Sequence, residues 1–431
     1  MTEQRKSSGY VLQSFHTKAI FNDSGWLLEA PGESVPALIR AVYEKQRLDV
    51  GDDSCGIYRF QDWLPIHTAL MGSSAPVTYK SAGLAGMLRL ENLYITFSGF
   101  WPEKGAFMKT CSFKETEAYT VCARLDQNPG KVLVVASAGN TARAFARVCS
   151  DNKIPLLLCV PMDNLDALWF DGPLDPCVKL IASQKGGDYF DAIHLSNIAA
   201  TINGFVAEGG AKNVARRDGM GTTVLSATTT IGMIPHLYFQ AVGSGTGAIA
   251  AWEANLRFLQ DGRYGDHKMK LMLSQNAPFL PMYEAWKAGS RALLPYNDGL
   301  ARKHVEIIDA KVLSNRKPPY SIAGGLFDAL VDAGGDILPV TNEEARLAAG
   351  QFLELEGIDI HPAAAVATAS LMREVSEGKI NREAIIMLNI TGGGEIRFKE
   401  GRNLYYLKPD LVFPINPSEE SVRMEIGKLT W

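Results

Sequence analysis

Lys114 lies at a position where a positive charge is unfavourable, so the reactivity of its amine is a better explanation for a lysine there. The stretch 110-TCSFKETEAYT-120 predicts a helix that begins near Lys114, with Ser112 and Glu115 spaced as a capping box. A cation at the positive end of a helix dipole is mildly unfavourable, whereas Glu115 and Glu117 suit that end. A primary amine can attack a carbonyl group and form a Schiff base. Taken alone, Lys114 is more simply explained as a solvated surface lysine.

A second set of polar residues lies in 136-ASAGNTA-142, between the strand-like run KVLVVA and a helical segment. Ser137, Asn140 and Thr141 bring side chains and backbone N–H groups to a helix N-terminus, which suits a carboxylate or another anion. Ordinary N-capping by Asn140 or Thr141 explains the same residues without a ligand.

A glycine-rich turn, 243-GSGTGA-248, also joins a strand to a helix. Such a turn can present backbone N–H groups to a phosphate; the residues concerned are Gly243, Ser244, Gly245, Thr246 and Gly247. It is not a Walker A loop, because no lysine follows the last glycine. It matches the dinucleotide pattern G-x-G-x-x-A, but the next strand ends in Ser274-Gln275 without the acidic residue that this pattern requires. Phosphate binding and a tight turn without a ligand both stay open.

The third loop, 391-TGGGE-395, follows the apolar run AIIMLNI. Thr391 is expected at the carboxyl end of a strand, where open α/β sheets bind ligands. Alone, the loop needs no ligand to explain it.

Together these residues describe a site for pyridoxal phosphate. Lys114 supplies the amine for a Schiff base, and the 243–247 loop supplies a cradle for the cofactor phosphate. Asn140 can hydrogen-bond the phenolic oxygen of the ring, and Thr391 can hydrogen-bond the pyridine nitrogen.

The elements that must position these residues alternate regularly. From about residue 92, strand-like runs such as KVLVVA alternate with helical runs such as TARAFARVCSD, and a second series starts near 220 with HLYFQAV. This order predicts an α/β fold with mostly parallel sheet covered on both faces. We expect a smaller α/β domain at 95–220, with the lysine and asparagine loop. Residues 1–94 and 221–431 are expected to form a larger α/β domain with the glycine loop. The early run PALIRAVYEKQRL is predicted to be helical.

Composition excludes several other classes of protein. The chain has 431 residues, 46% of them hydrophobic and 21% charged, and a formal net charge of −4. Nothing there indicates a nucleic-acid or membrane-surface partner. The polar start lacks the apolar segment of a signal peptide, and the six cysteines form no CxxC pair. We therefore expect a cytoplasmic chain with reduced thiols and no metal.

The order SFKE, SAGNT, GSGTG, TGGG resembles the fold-type II pyridoxal phosphate enzymes, and within them the threonine synthase branch. The stretch 208-EGGAKNVARRDGMGT-222 resembles that branch too. Within the branch, ALIRAVYEKQRL, 56-GIYRFQDWLPI-66 and 97-FSGFWPEKGAFMKTCSFKE-115 resemble the cysteate synthase family. The resemblance spans about 92 to 395. It implies two doubly wound domains of mostly parallel sheet, similar to the tryptophan synthase β subunit, with the active site between them.

The chain departs from this pattern at three places. Glu115 follows the lysine where relatives usually have aspartate. The segment 14-SFHTKAIFNDSGWLLEAPG-32 lacks the cysteines that relatives often carry, so no metal is expected there. His361-Pro362 stands where relatives tend to have Glu-Pro. His361 is either a substrate contact or simply the residue at a helix start.

The resemblance implies a reaction and roles for the residues. O-phospho-L-serine and sulfite would give L-cysteate and phosphate, a step towards coenzyme M, with Lys114 holding the cofactor and serving as base. The substrate carboxylate would bind the 137–141 loop through Ser137, Gly139 and Thr141. Candidates for a second anion site are Lys109, Arg143, Arg216 and Arg217. Threonine synthase, which acts on O-phosphohomoserine and water, is the alternative. Relatives are generally homo-oligomers, so the resemblance implies a homo-oligomer.

Overall fold

A computed structural model describes residues 9–125, 130–137 and 139–431. The strands are, in chain order, β1 (Tyr10–Ser14), β2 (Ile20–Phe21), β3 (Ile39–Tyr43), β4 (Val77–Lys80), β5 (Asn92–Phe97), β6 (Phe100–Trp101), β7 (Ala106–Phe107), β8 (Val132–Ala136), β9 (Leu156–Pro161), β10 (Trp169–Phe170), β11 (Val178–Ser183), β12 (Phe205–Ala207), β13 (Leu237–Ala241), β14 (Lys270–Asn276), β15 (Asp336–Val340), β16 (Ile385–Ile390), β17 (Tyr405–Tyr406) and β18 (Leu411–Phe413).

The helices are, in chain order, α1 (Gly83–Leu88), α2 (Lys114–Arg124), α3 (Asn140–Asn152), α4 (Tyr189–Ala199), α5 (Val214–Ile231), α6 (Thr246–Asp261), α7 (Pro281–Lys287), α8 (Asp298–Ile307), α9 (Leu326–Ala333), α10 (Asn342–Glu356), α11 (Pro362–Ser376), α12 (Glu395–Lys399) and α13 (Glu419–Ile426). No helix in these described ranges is long and apolar enough to cross a membrane.

A five-stranded sheet has the order β12-β8-β9-β11-β18, and its strands are all parallel. Successive side chains of its central strand β9 enter different cores. Leu156 and Leu158 pack with residues of α2 and α3, whereas Leu157 and Cys159 pack with residues of α4 and α13. Because side chains of a strand alternate between its faces, this sheet is covered on both sides.

A six-stranded sheet has the order β15-β14-β13-β16-β5-β4, with β4 alone antiparallel. It is covered in the same way. Phe239 of β13 packs with residues of α10 and α11, and its neighbour Tyr238 packs with residues of α5, α6 and α9. The prediction of two doubly wound, mostly parallel sheets is confirmed.

The C-terminal residues differ from the predicted division of the chain. The prediction assigned all of 221–431 to the second domain, but β18 pairs in parallel with β11 in the five-stranded sheet. Val422 and Ile426 of α13 pack into the core that covers α4. The strand covers an edge of the sheet that would otherwise expose its unpaired N–H and C=O groups.

The helix predicted for PALIRAVYEKQRL is wrong. Its Ile39–Tyr43 segment is strand β3, which pairs antiparallel with β1. Ile39, Ala41 and Tyr43 are buried while Val42 is exposed, so the segment follows a period of two. Pairing with β1 prevailed over the helical pattern of this short apolar run.

Candidate active site

Lys114 is the first residue of helix α2, as the sequence predicts. The predicted capping box is wrong. Glu115 accepts hydrogen bonds from the backbone N–H (2.9 Å) and the hydroxyl (2.8 Å) of Thr110, and the buried Ser112 hydroxyl has no hydrogen-bond partner among the described residues. Cys111 has a left-handed backbone (φ 54°), and the turn that it makes places Thr110 within reach of Glu115.

The residues just before Lys114 are joined to the loop that follows β16. The backbone N–H of Phe113 donates to the carbonyl of Thr391 (3.0 Å), and the N–H of Gly393 donates to the carbonyl of Cys111 (3.1 Å). Thr391 is buried. The lysine and the Thr391 loop, 277 positions apart by residue number (391 − 114), therefore lie side by side.

The loop 243–247 approaches the same point from the other side. A Cβ atom on Gly247 would lie 3.2 Å from Cε2 of Phe113 and 2.6 Å from Nε2 of Gln240, so the backbone passes close to both side chains. Within the described chain, the backbone N–H groups of Gly243, Ser244 and Gly245 have no acceptor. Free N–H groups at the start of α6 fit a bound phosphate.

The hydroxyls of Ser244 and Thr246 lie 2.8 Å apart at this loop. They add hydroxyl donors beside the free N–H groups. These donors support the prediction that the loop is a phosphate cradle.

The loop that follows β8 leads into helix α3, which begins at Asn140. The side-chain oxygen of Asn140 accepts from Nη2 of Arg143 (3.1 Å). Because arginine only donates, this contact fixes the amide so that its NH₂ group is free to donate elsewhere. The Ser137 hydroxyl accepts from the N–H of Gly139 (3.1 Å). The first N–H groups of α3 lack partners within the helix, which suits an anion.

A buried carboxylate connects this loop to the lysine. Oε2 of Glu117 lies 3.2 Å from Nζ of Lys114, and its Oε1 accepts from the hydroxyl of Thr141 (3.1 Å). Nη2 of Arg216 lies 3.1 Å from the same Oε1, and Nε of Arg216 lies 2.8 Å from Glu208. Thr141 was predicted to bind substrate; its hydroxyl is engaged with Glu117, which leaves its backbone N–H for that role.

Burial lowers the pKa of the Lys114 amine, and Arg216 acts in the same direction, while Glu117 opposes them. A lower pKa increases the fraction of neutral amine at neutral pH, and the neutral amine is the nucleophilic form. The site therefore favours an amine that can react with a carbonyl group.

The other predicted cations have different surroundings. Arg217 contacts the carbonyl of Ile39 and the carboxylate of Glu253, so it joins β3 to α6 rather than facing Lys114. Arg143 is buried, and its guanidinium lies 4.0 Å from the centre of the Trp169 ring. Lys109 is exposed.

His361 contacts the loop that follows β16. Its backbone N–H donates to the carbonyl of Gly392 (2.9 Å), and its Nε2 lies 2.9 Å from Oε2 of Glu395. Burial alone would raise the pKa of Glu395, but contacts with His361 and Arg143 lower it to about 2. These contacts favour the structural explanation of His361 at a helix start.

Sequence reasoning missed Glu117, Arg216 and Glu208 as one charged group around Lys114. Glu117 had a usable signal, since residues three apart share a helix face. Glu208 had no such signal, because it is far from Lys114 in the sequence and only the folding of the chain brings the two together. Among the residues that the structure describes, no group of three or more His, Cys, Asp or Glu side chains is arranged to hold a metal.

Solved structures with a similar fold include maize serine racemase and threonine deaminase isoform 2 from Solanum lycopersicum. The first has a TM-score of 0.57 and 16% identity over 74% of this chain and 88% of that one. The second has a TM-score of 0.52 and 17% identity over 76% of this chain and 87% of that one. A family model described as pyridoxal-phosphate dependent enzyme matches residues 87–392. The chain belongs to this family.

Closer relatives narrow the assignment. The chain is 49% identical to a cysteate synthase of Methanosarcina acetivorans, over 90% of this chain and 94% of the relative. It is also 49% identical to a cysteate synthase of Methanocella paludicola, over 87% of this chain and 88% of the relative. Within the pyridoxal-phosphate dependent enzymes, it belongs with the cysteate synthases.

We expect Glu115→Gln to stabilise the protein at pH 8 and to stabilise it much less at pH 5. Burial raises the pKa of Glu115 to about 7 in the folded state. Its ordinary value is about 4.3. Folding thus favours the protonated carboxyl, and the folded state loses stability as the pH rises through this interval, by up to about 3 kcal/mol. Glutamine keeps an acceptor for Thr110 and does not titrate. Thermal unfolding followed by circular dichroism measures the effect, and a gain that is no larger at pH 8 than at pH 5 would contradict it.

We expect Gly245→Ala to weaken cofactor binding at least tenfold. Gly245 has φ +79°, and a Cβ there would lie 2.8 Å from Cδ2 of Leu326, so the loop or the Leu326 side chain must shift. The matched control is Gly262→Ala at the other end of α6, where φ is +74° and the space is open. Both changes strain the backbone, but we expect weaker cofactor binding, measured by equilibrium dialysis, only for Gly245. Equal affinities in the two variants would exclude the loop as the phosphate site.

Proposed function

We propose that the protein converts O-phospho-L-serine and sulfite into L-cysteate and phosphate, with pyridoxal 5′-phosphate bound at Lys114. The observation that supports this is the meeting of three loops at the start of α2. Phe113 contacts the Thr391 and Gly247 loops, and Glu117 contacts Thr141. The similarity to cysteate synthases supports the choice of reaction.

The residues at this point fit the cofactor. The free N–H groups of 243–245 would bind its phosphate, the NH₂ group of Asn140 its phenolic oxygen, and the Thr391 hydroxyl its pyridine nitrogen. When bound, pyridoxal phosphate supplies an aldehyde for the Lys114 amine and an electron sink for the substrate α-carbon. A hydroxyl cannot hold a protonated pyridine nitrogen as a carboxylate would. This weaker sink suits the expulsion of a good leaving group such as phosphate.

Lys114 has two roles in this proposal. It attaches the cofactor, and once released by the substrate amine it takes the proton from the substrate α-carbon. The burial that lowers the pKa of its amine supports both roles. Lys114 then returns the proton to the α-carbon after sulfite has bonded to the β-carbon.

The substrate anions need separate places. We propose that the carboxylate binds at the start of α3 through Ser137, Gly139 and Thr141, where N–H groups of the first turn are free. Arg216 is the best placed of the candidate cations to receive sulfite or the leaving phosphate. It shares Glu117 with Lys114, and its Nη1 forms no hydrogen bond to the described residues.

Threonine synthase activity is not favoured. The relatives with high identity over most of the chain are named cysteate synthase. Phosphohomoserine carries its phosphate on the γ-carbon, so its elimination needs a second proton removed and a longer pocket. Three further properties remain predictions: the cytoplasmic location, the homo-oligomeric state and the role in coenzyme M synthesis. Light scattering on the purified protein tests the oligomeric state.

Borohydride reduction of the holoenzyme should attach the cofactor to Lys114. We expect Lys114→Ala to lose this adduct and at least about a thousandfold in turnover, because both attachment and proton transfer are removed. The matched control is Lys109→Ala, five residues upstream and exposed, which should keep the adduct. Peptide mass spectrometry locates the adduct, and its appearance on another lysine would overturn the assignment.

Product analysis distinguishes the two reactions. Phosphoserine with sulfite should yield cysteate, whereas phosphohomoserine should turn over poorly with or without sulfite. Length alone discriminates by about 10–200-fold, and a misplaced phosphate adds to this by leaving buried cations unpaired. Threonine formed from phosphohomoserine at a rate that matches cysteate formation would leave threonine synthase as the function.

A further inference from the structure

Glu117 is a fully buried carboxylate that the proposed reaction does not use. Its side chain is 0% exposed, and its partners come from three helices. Lys114 lies on α2 with it, Thr141 on α3 and Arg216 on α5, at 3.1–3.2 Å from its oxygens. An ionised carboxylate away from water is tolerated only when it is paired in this way.

The local sequence explains why Glu117 meets Lys114. The two residues are three apart in the first turn of α2, so their side chains lie on one face of the helix. The helix dipole favours a carboxylate at this end and disfavours an ammonium group. Glu117 therefore supplies, within the same turn, a negative charge that compensates for the unfavourable position of Lys114 at the helix start.

Glu117 keeps partners whatever the state of the lysine. The contacts of Arg216 and Thr141 with Oε1 of Glu117 do not involve the Lys114 amine, so they would remain if that amine held the cofactor. When the amine is free, Oε2 of Glu117 accepts a hydrogen bond from it (3.2 Å). The other titratable groups that face this cluster are Glu208, which pairs with Arg216, and Tyr189 at the start of α4.

We propose that Glu117 is the positioning residue for Lys114, which directs the released amine and stabilises its ammonium form after proton transfer. In that transfer the bond from the substrate α-carbon to hydrogen breaks, and a new N–H bond forms on Lys114. The electron pair stays with the substrate and is used to expel phosphate, while Glu117 takes up and gives up no proton in this step. The inference rests on the proposed role of Lys114.

The test measures the pKa of the Lys114 amine in the full-length chain after removal of the cofactor. Trace acetylation with acetic anhydride between pH 6 and 11, read by mass spectrometry of the Lys114 peptide, gives this pKa. Glu117→Gln should lower it by about one unit or more, because an opposite charge within 4 Å is lost. Recovery of cofactor binding on adding pyridoxal phosphate shows that the chain is folded.

Glu208→Gln is the matched control, because it removes the same charge from the cluster but contacts Arg216 rather than Lys114. It should shift the pKa of Lys114 by less than half as much. An unchanged pKa in Glu117→Gln, or an equal shift in both variants, would overturn the proposal. If Glu117→Gln does not fold, Glu117→Asp withdraws the charge by one methylene, and the absence of any fall in the pKa of Lys114 would be equally decisive.

A kinetic measurement separates this inference from the proposed function. In the holoenzyme, Glu117→Gln should lower kcat at least tenfold, and this loss should exceed the rise in KM for phosphoserine, because Glu117 contacts the lysine directly and reaches substrate only through Thr141 and Arg216. If cysteate forms but the pKa of Lys114 does not respond, the inference fails and the function stands. If the pKa responds but phosphoserine and sulfite give no cysteate, the function fails and the pairing stands.

Discussion

Two backbone hydrogen bonds hold the start of α2, and with it Lys114, at the boundary between the sheets. They run from Phe113 to Thr391 and from Gly393 to Cys111. Helix α2 packs with α3 on the five-stranded sheet, whereas Thr391 directly follows β16 of the six-stranded sheet. Each bond contributes only about 1 kcal/mol, yet together they fix where α2 begins. The places of Lys114 and Glu117, and the groups that they meet, follow from that start.

The second constraint is electrostatic. Lys114 and Arg216 bring two positive charges into a largely buried place, and Glu117 and Glu208 bring two negative ones. Burying one such charge alone would cost several kcal/mol, but a closed set of pairs offsets most of that cost. The cluster also spans α2 and α5, which pack against each other, so the same contacts hold the helices in register.

Local patterns predicted much of this structure. The start of α2, the strands before the three loops and the covering of both sheets depend on short stretches of sequence, and the structure agrees with them. The capping box at Ser112 failed because the left-handed turn at Cys111 redirects Glu115 to Thr110. Strand β3 and the pairing of Arg216 with Glu117 depend on partners far away in the chain. No window of neighbouring residues contains that information.

The placement of β18 bears on the order in which the protein can fold during synthesis. The neighbours of Leu411–Phe413 in the sheet are residues 181–183, made more than two hundred positions earlier. The edge of β11 therefore stays unpaired while four strands of the six-stranded sheet, β13 to β16, are translated. Domains generally fold as their sequence emerges, but here the five-stranded sheet is completed only after the last strand of the six-stranded sheet has been made. The final twenty or so residues, from β18 through α13, close a structure that began before residue 160.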